Sequence, residues 1–192
     1  GSLTLDELTR VVECLKAETC DPYNALLIIG RSGATDCRLM VERYLTRTDS
    51  PMLARLALLI LCRYWGLSSE YKSVLEMFAR KVEWDEEDDI RILAISIIGT
   101  LLATQPDDRL LLLLIQIFRD RTESKPQILR ETAYCALGEA SGMSVLELPP
   151  ASRHLDLEHG LDPKIVAYID AAEIRLAQTE GKNSREGGEG VP

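Results

Sequence analysis

The feature that most constrains the fold is a short motif that returns four times along the chain. Its clearest copy lies in the nearly apolar stretch 89–103, as Arg-x-x-Ala-x-x-x-Ile-Gly over residues 91–99. The same spacing returns as Arg-x-x-Ala-x-x-x-Leu-Gly over residues 130–138. Two weaker copies align further alanines with these, so that the aligned alanines are 25, 57, 94 and 133. A recurrence at intervals of 32 to 39 residues is typical of an array of helical repeats.

Helix-start signals around the motif copies predict four helix pairs. Thr4 and Glu7 have the spacing of a capping box, and Asp21-Pro22 combines a preferred cap with proline at the first helical position. A helix from about Asp36 is expected to turn Leu39, Met40 and Tyr44 inward. The predicted repeats cover about residues 4–33, 35–66, 68–103 and 106–142.

The motif does not recur after the fourth repeat, so no fifth repeat is predicted. Residues 144–178 are predicted to form a C-terminal cap, because a helix restarting at Asp162-Pro163 has one apolar face that could cover the last repeat. Residues 179–192 contain little that could be buried, so we expect a disordered tail. Residues 3–178 would then form a single domain.

Composition narrows the classes of partner. A net charge of -9 disfavours nucleic acid, whose binding depends on neutralising phosphates with Lys and Arg, and it disfavours an anionic membrane surface. The longest apolar run, 110–118, is far shorter than the roughly 18 residues of a membrane-spanning helix. The five cysteines form no Cys-x-x-Cys pair, and four fall in helical apolar patterns where buried thiols are expected. These observations favour a reduced, cytoplasmic protein.

The repeated motif resembles the second helix of HEAT and HEAT-like repeats, which are related to armadillo repeats. The resemblance covers about residues 4–142 and is best in the third and fourth repeats. The first repeat departs from it by having Pro22 in place of the arginine, and the second by having Ala54 there and Cys62 in place of the glycine. The resemblance implies an all-α, right-handed superhelix (solenoid) of about four helix pairs with a C-terminal capping helix.

By the same resemblance, the chain is expected to be a non-catalytic protein-protein interaction module. Such modules act as scaffolds, adaptors or inhibitors, and they bind a protein partner along the surface lined by their second helices. We expect a monomer with an unidentified protein partner. The alternative is a HEAT-like enzyme or lyase subunit, similar to bilin lyases, that binds a small molecule in its concave face.

The residues themselves offer no catalytic constellation, so no catalytic, cofactor or metal site is predicted. The segment from His154 to His159 contains histidine, aspartate and glutamate but lacks the helical spacing that would converge on a metal, which favours a surface loop. Each cysteine is distant in sequence from both histidines, and no Gly-x-Ser-x-Gly motif is present.

An acidic segment, Glu83–Asp89, is the first candidate for partner binding. It holds six carboxylates in seven residues. One interpretation is a docking loop for a basic partner, with Trp84 as an aromatic anchor beside Asp85, Glu86 and Glu87. The other is a solvated turn whose carboxylates stabilise the N-terminus of the next helix through its dipole.

The second candidate is one face of the second helices, at positions -2, +2 and +6 from each aligned alanine. These positions lie four residues apart and therefore share a helix face. The face changes from basic to acidic along the chain, through Arg31, Arg55 and Arg63 to Glu131 and Glu139. Such polarity would set the orientation of a bound segment, although a solvated edge would explain it equally.

Three further positions complete the sequence-based predictions. Tyr64 and Trp65 follow Arg63 and could anchor a contact on this face, although Trp65 could equally belong to the core. Arg91 and Arg130 occupy equivalent positions, and we expect them to pair with acids of neighbouring repeats in a structural ladder.

Overall fold

A computed structural model describes residues 4–122, 126–144, 146–148 and 155–186, except the side chains of residues 126 and 179–186. All regular structure in these residues is helical, which confirms the all-α prediction. The α-helices are α1 (Leu5–Lys16), α2 (Pro22–Ser32), α3 (Arg38–Glu42), α4 (Pro51–Leu59), α5 (Lys72–Arg80), α6 (Asp89–Leu102), α7 (Asp108–Arg119), α8 (Pro126–Ala140) and α9 (Pro163–Glu186). The handedness of a superhelix stays a prediction.

The chain divides into two compact units, Gly1–Ile97 and Ile98–Pro192, with the division inside α6. In the first unit, α1 packs on α2 and α2 packs on α4. In the second unit, α7 packs on α8 and α9 packs on both. The helices bury leucine, isoleucine and alanine side chains, and this burial is the main favourable term for each unit.

The predicted helix starts are confirmed by their hydrogen bonds. The backbone N–H of Thr4 donates to Glu7 Oε2 at 2.8 Å, and the Glu7 N–H donates to Thr4 Oγ1 at 3.3 Å, which completes the capping box. Asp21 accepts from the Asn24 N–H at 2.9 Å, with Pro22 at the first helical position. These contacts satisfy backbone donors that have no partner inside the helix.

The motif alanines and glycines are small because other residues approach them closely. All four aligned alanines are buried, and three of them have no exposed surface. A Cβ on Gly99 would lie 2.6 Å from the Cα of Ala136, and one on Gly30 would lie 2.5 Å from Ile60 Cγ1. The repeat therefore records close helix contacts within each unit.

The second repeat is less regular than the sequence predicts. Its first helix is the short α3 between 3-10 turns at Thr35–Cys37 and Arg43–Thr46. These turns change the helical register, so Leu39 is 74% exposed while Val41 and Leu45 are buried. The prediction that Leu39 points inward is wrong for this reason.

The cap prediction agrees with the structure of α9. Ile165, Ile169 and Ala172 are buried on its inner face, against α7 and α8. The helix continues to Glu186, beyond the predicted start of the tail at residue 179. No proline interrupts residues 179–186, and an amphipathic helix can extend past its buried face. Among the described residues, no helix is long and apolar enough to cross a membrane.

Candidate partner-binding cleft

An open cleft of about 640 Å³ lies in the first unit. It lies beside the N-terminal turns of the second helices α2, α4 and α6 and the acidic segment that precedes α6. Both predicted binding features, the second-helix face and the acidic segment, therefore contribute to one cavity. The lining residues are Tyr23, Thr48, Pro51, Met52, Arg55, Trp84, Asp85, Glu86, Glu87 and Asp89.

Two of the helices that line the cleft begin with a proline. Pro22 and Pro51 occupy the first positions of α2 and α4, where the missing N–H of proline costs nothing. Tyr23 and Met52 follow them directly and so lie in first turns, before the helices enter the core. Met52 is 62% exposed, so an apolar side chain of the cleft is accessible.

The acidic segment forms the cleft's other wall, and its carboxylates divide into two groups. Asp85 is buried, and its Oδ2 accepts from the N–H groups of Ile90 and Arg91 at 3.0 and 3.1 Å. It thereby satisfies the start of α6, but from a buried position and not from the solvated turn that one interpretation of this segment predicts. Glu86 and Glu87 are exposed at the cleft. Burial raises the pKa of Asp85, against the lowering effect of the two N–H donors.

Trp84 is fixed in the cleft by packing. Its ring meets the buried Phe78 ring edge-on, with centroids 6.0 Å apart and an interplanar angle of 89°. Such an edge-to-face contact orients an aromatic ring at little cost. Trp84 is half-buried, so part of its ring remains accessible on the cleft side.

The cleft contains charges of both signs that do not neutralise one another. Arg55 is exposed and makes no ion pair or hydrogen bond within the described part of the chain. The same holds, within that part, for Glu86 and Asp89. Opposite charges that line one cavity without pairing leave their hydrogen-bonding capacity available to a ligand.

The basic end of the second-helix face lies in the first unit, and its members behave differently. Arg31 is exposed and unpaired among the described residues, whereas Arg63 Nη2 donates to Ser96 Oγ at 2.9 Å. Tyr64 is 41% exposed. Trp65 is half-buried, and its indole N–H donates to the Gly30 carbonyl at 3.0 Å, which fixes the end of α4 on α2. This contact makes Trp65 a structural residue.

A π-helical turn, Ile60–Tyr64, follows α4 and carries Arg63. The Trp65 N–H donates to the Ile60 carbonyl, five residues earlier, at 2.9 Å. This turn holds one more residue than an α-helical turn, so side chains after Ile60 are rotated from the four-residue spacing. Arg55 remains at the cleft, while Arg63 contacts the next second helix.

The acidic end of the face lies in the second unit, and its carboxylates make internal contacts. Glu131 Oε1 accepts from the Leu155 N–H at 2.9 Å and from Gln127 Nε2 at 2.6 Å. Glu139 Oε2 accepts from Thr100 Oγ1 at 2.6 Å. These bonds hold the segment before α9 and join α6 to α8, so neither carboxylate is an uncommitted docking group.

The two motif arginines contact helix ends within their own repeats. Arg91 Nε donates to the Ala79 carbonyl at 3.0 Å, and Arg130 Nε donates to the Phe118 carbonyl at 2.9 Å. Each acceptor lies in the last turn of the preceding helix, twelve residues earlier, where carbonyls lack helical partners. The contact that the two arginines share is therefore with a backbone carbonyl, and not with an acid of a neighbouring repeat as predicted.

The predicted burial of four cysteines is wrong. Only Cys62 is buried, and its burial raises its pKa to about 11, while Cys14 is exposed and the other three are half-buried. Some positions in the apolar patterns of these helices lie at the edge of the buried face and are partly exposed. The spacing of apolar residues does not distinguish such positions from the core. All five thiols are free.

The histidine-containing segment lies partly outside the described residues, because His154 is not among them. His159 has a side chain that is 85% exposed, with Nδ1 3.4 Å from Asp156 Oδ2. Asp156 Oδ1 accepts from the N–H groups of residues 158 and 159, which stabilises a turn. Among the described residues, no group of three or more His, Cys, Asp or Glu side chains could hold a metal ion.

Sequence reasoning identified part of the cleft and missed the rest. Arg55 and the acidic segment were candidates, whereas Thr48, Pro51 and Met52 were not. The sequence did carry one signal for these residues. Met52 directly follows the helix-starting Pro51, and a large apolar side chain at that position is not expected to reach the core. Comparison of the chain with protein-family models, curated proteins and solved structures finds no match.

Proposed function

We propose that the protein is a non-catalytic protein-protein interaction module that binds its partner at the cleft beside α2, α4 and α6. The observation that carries this proposal is the placement of an exposed methionine, an unpaired arginine and unpaired carboxylates around one cavity. The resemblance of the motif to HEAT-like repeats supports it, because that resemblance implies partner binding along second helices.

The chemistry of the lining also favours a macromolecular partner. Protein interfaces combine an apolar anchor with polar groups that fix orientation, and the cleft offers Met52 and Trp84 beside Arg55 and Glu86. The cleft is open and widely accessible, so an occupant would lie across it rather than be enclosed. This geometry suits a segment of another protein chain.

Site-specific photo-cross-linking tests the proposal. A photoreactive phenylalanine analogue replaces Met52 in the cleft or, as a matched control, Met77 on α5. Met77 is also exposed, at 48%, and belongs to the same unit, but it does not line the cleft. Both proteins are irradiated in lysate from the source cells.

The expected result is a discrete adduct from position 52 that is absent from position 77 and is competed away by excess unmodified protein. The adduct should also be weakened when Trp84→Leu is added, provided that circular dichroism shows an unchanged fold. Equal cross-linking from both positions, or an adduct that excess protein does not reduce, would contradict the proposal.

A further inference from the structure

We infer that the segment bound in the cleft carries a lysine or arginine side chain, which lies between the cleft's carboxylates and Trp84. This inference rests on the proposed function and specifies its partner. It uses the balance of charge in the cavity, the aromatic and apolar lining, and the fixed position of Trp84.

The balance of charge favours a cation. Glu86, Glu87 and Asp89 are exposed and line the cleft, whereas Arg55 is the one positively charged residue among its described lining residues. Asp85 is excluded from this balance because its carboxylate accepts from the backbone at the start of α6. The cavity is therefore net negative, and a segment with acidic side chains would be repelled.

The apolar lining favours a long basic side chain over a small cation. Lysine and arginine place an apolar stem against apolar surface while the charged end stays near carboxylates. Met52, Tyr23 and Trp84 supply such surface in the same cavity as Glu86 and Asp89. A cation over the face of a tryptophan or tyrosine ring gains a further attraction.

An uncharged apolar ligand fits these observations less well. Filling the cleft with apolar groups would remove water from Glu86 and Asp89, which have no partner within the described residues. Carboxylates that lose water without gaining a cation or a donor are strongly disfavoured. A basic segment avoids this cost, because its cation pairs with these carboxylates.

Selection from a random peptide library tests the inference directly. The library is selected on the wild-type protein and counter-selected on a double variant of the cleft, Glu86→Gln with Asp89→Asn. A second double variant, Asp6→Asn with Glu13→Gln, changes the net charge equally on α1 and serves as the control. Asp6 and Asp89 both lie in the first turn of a helix, and all four residues are exposed.

Selected peptides are then labelled and measured by fluorescence anisotropy. We expect enrichment of lysine or arginine, with binding weakened between about two- and thirtyfold by the cleft variant. The control variant should bind within about twofold of wild type. Arg55→Gln should strengthen binding by about two- to fivefold, because it removes the one opposing charge, and Trp84→Leu should weaken it.

Three outcomes would overturn the inference: enrichment of acidic or uncharged apolar peptides, equal weakening by both double variants, or no peptide that distinguishes wild type from the cleft variant. If position 52 still gives a competed adduct in these cases, the binding function stands and only the partner's chemistry is wrong. If basic peptides bind at the cleft but position 52 gives no adduct, the cleft's chemistry is right and the proposed partner-binding function fails.

Discussion

The third and fourth helix pairs share one contact and differ in the charge that accompanies it. In both pairs, the motif arginine donates from Nε to a carbonyl in the last turn of the preceding helix. In the third pair, Arg91 Nη1 lies 3.6 Å from Asp88 Oδ1, and both side chains are buried. In the fourth pair, Arg130 Nη2 lies 3.5 Å from Glu158 Oε1, whose side chain is 46% exposed.

This difference separates the repeated part of the motif from its local additions. The arginine recurs because a cation near the C-terminus of a helix satisfies carbonyls that lack partners and complements the dipole. The acid beside the arginine comes from a different segment in each pair. In the third pair it lies in the loop before α6, and in the fourth it lies in the residues before α9. The two acids should therefore contribute unequally to stability.

The largest predicted effect is the loss of each arginine. Arg91→Met should lower the free energy of unfolding by about 3–5 kcal/mol, because it leaves the buried Asp88 carboxylate without its cation. Arg130→Met should cost about 1.5–3 kcal/mol, since the loss is mainly one charged hydrogen bond and Glu158 stays hydrated. Urea unfolding, followed by circular dichroism, measures both values.

Replacing the acid beside each arginine as well tests whether the unpaired acid causes the loss of stability. Asp88→Asn should recover part of the loss in the Arg91→Met background, because it removes the buried charge that the first change leaves. Glu158→Gln should recover almost nothing in the Arg130→Met background. Equal recovery in the two pairs would show that the exposed and buried acids act alike, contrary to the comparison.

The motif glycines provide a smaller contrast between the same pairs. A Cβ at Gly99 would lie 2.6 Å from the backbone of Ala136, whereas one at Gly138 would first meet the end of the Leu148 side chain, at 2.4 Å. Gly99→Ala should therefore cost about 1–3 kcal/mol through displaced backbone. At Gly138, side-chain movement and the better helix propensity of alanine should keep the change within about 1 kcal/mol.

Thermal or urea unfolding of the two alanine variants, compared at matched protein concentration, tests this contrast. A larger loss at Gly138 than at Gly99 would mean that Leu148 cannot move aside. The segment around Leu148 would then be more rigid than the exposure of the nearby Leu146 suggests.

The smallest predicted effect concerns Asp85, the buried acid of the third pair. Its pKa is raised in the folded protein, chiefly by burial, so the folded state holds the proton more tightly than the unfolded state does. This contribution to stability is therefore present at low pH and is lost as the pH rises through the raised pKa. Asp85→Asn retains an acceptor for the two N–H groups but does not titrate.

The measurement is the free energy of unfolding of wild type and Asp85→Asn between acidic and neutral pH. We expect the wild type to lose stability relative to the variant as the pH rises. The opposite trend would mean that the two N–H donors outweigh burial. Asp85→Ala removes the acceptor and should cost about 0.5–2 kcal/mol, as the loss of a helix cap does.

The sequence predicted the helical array because its signals are local. A capping box, a helix-starting proline and a buried alanine each depend on residues within one or two turns, so Thr4, Pro22 and Ala94 behave as expected. The arginine contact also carried a signal, since both arginines follow an acceptor in a helix end by twelve residues. The residue spacing alone could not show that this acceptor is a carbonyl rather than an acid.

The charged groups were harder to predict because their roles depend on distant neighbours. Glu131 accepts from the Leu155 N–H, 24 residues away, and Trp65 donates to a carbonyl 35 residues away. Nothing in the local pattern distinguishes these residues from Arg55 and Glu86, which stay unpaired within the described chain. The cleft could therefore be inferred only in part.

The π-helical turn at Ile60–Tyr64 bears on how this repeat would be traced through evolution. A turn closed by an i to i+5 bond holds one more residue than an α-helical turn. A comparison of repeats within the chain, or with any future relative, should therefore allow a one-residue gap between positions 60 and 64.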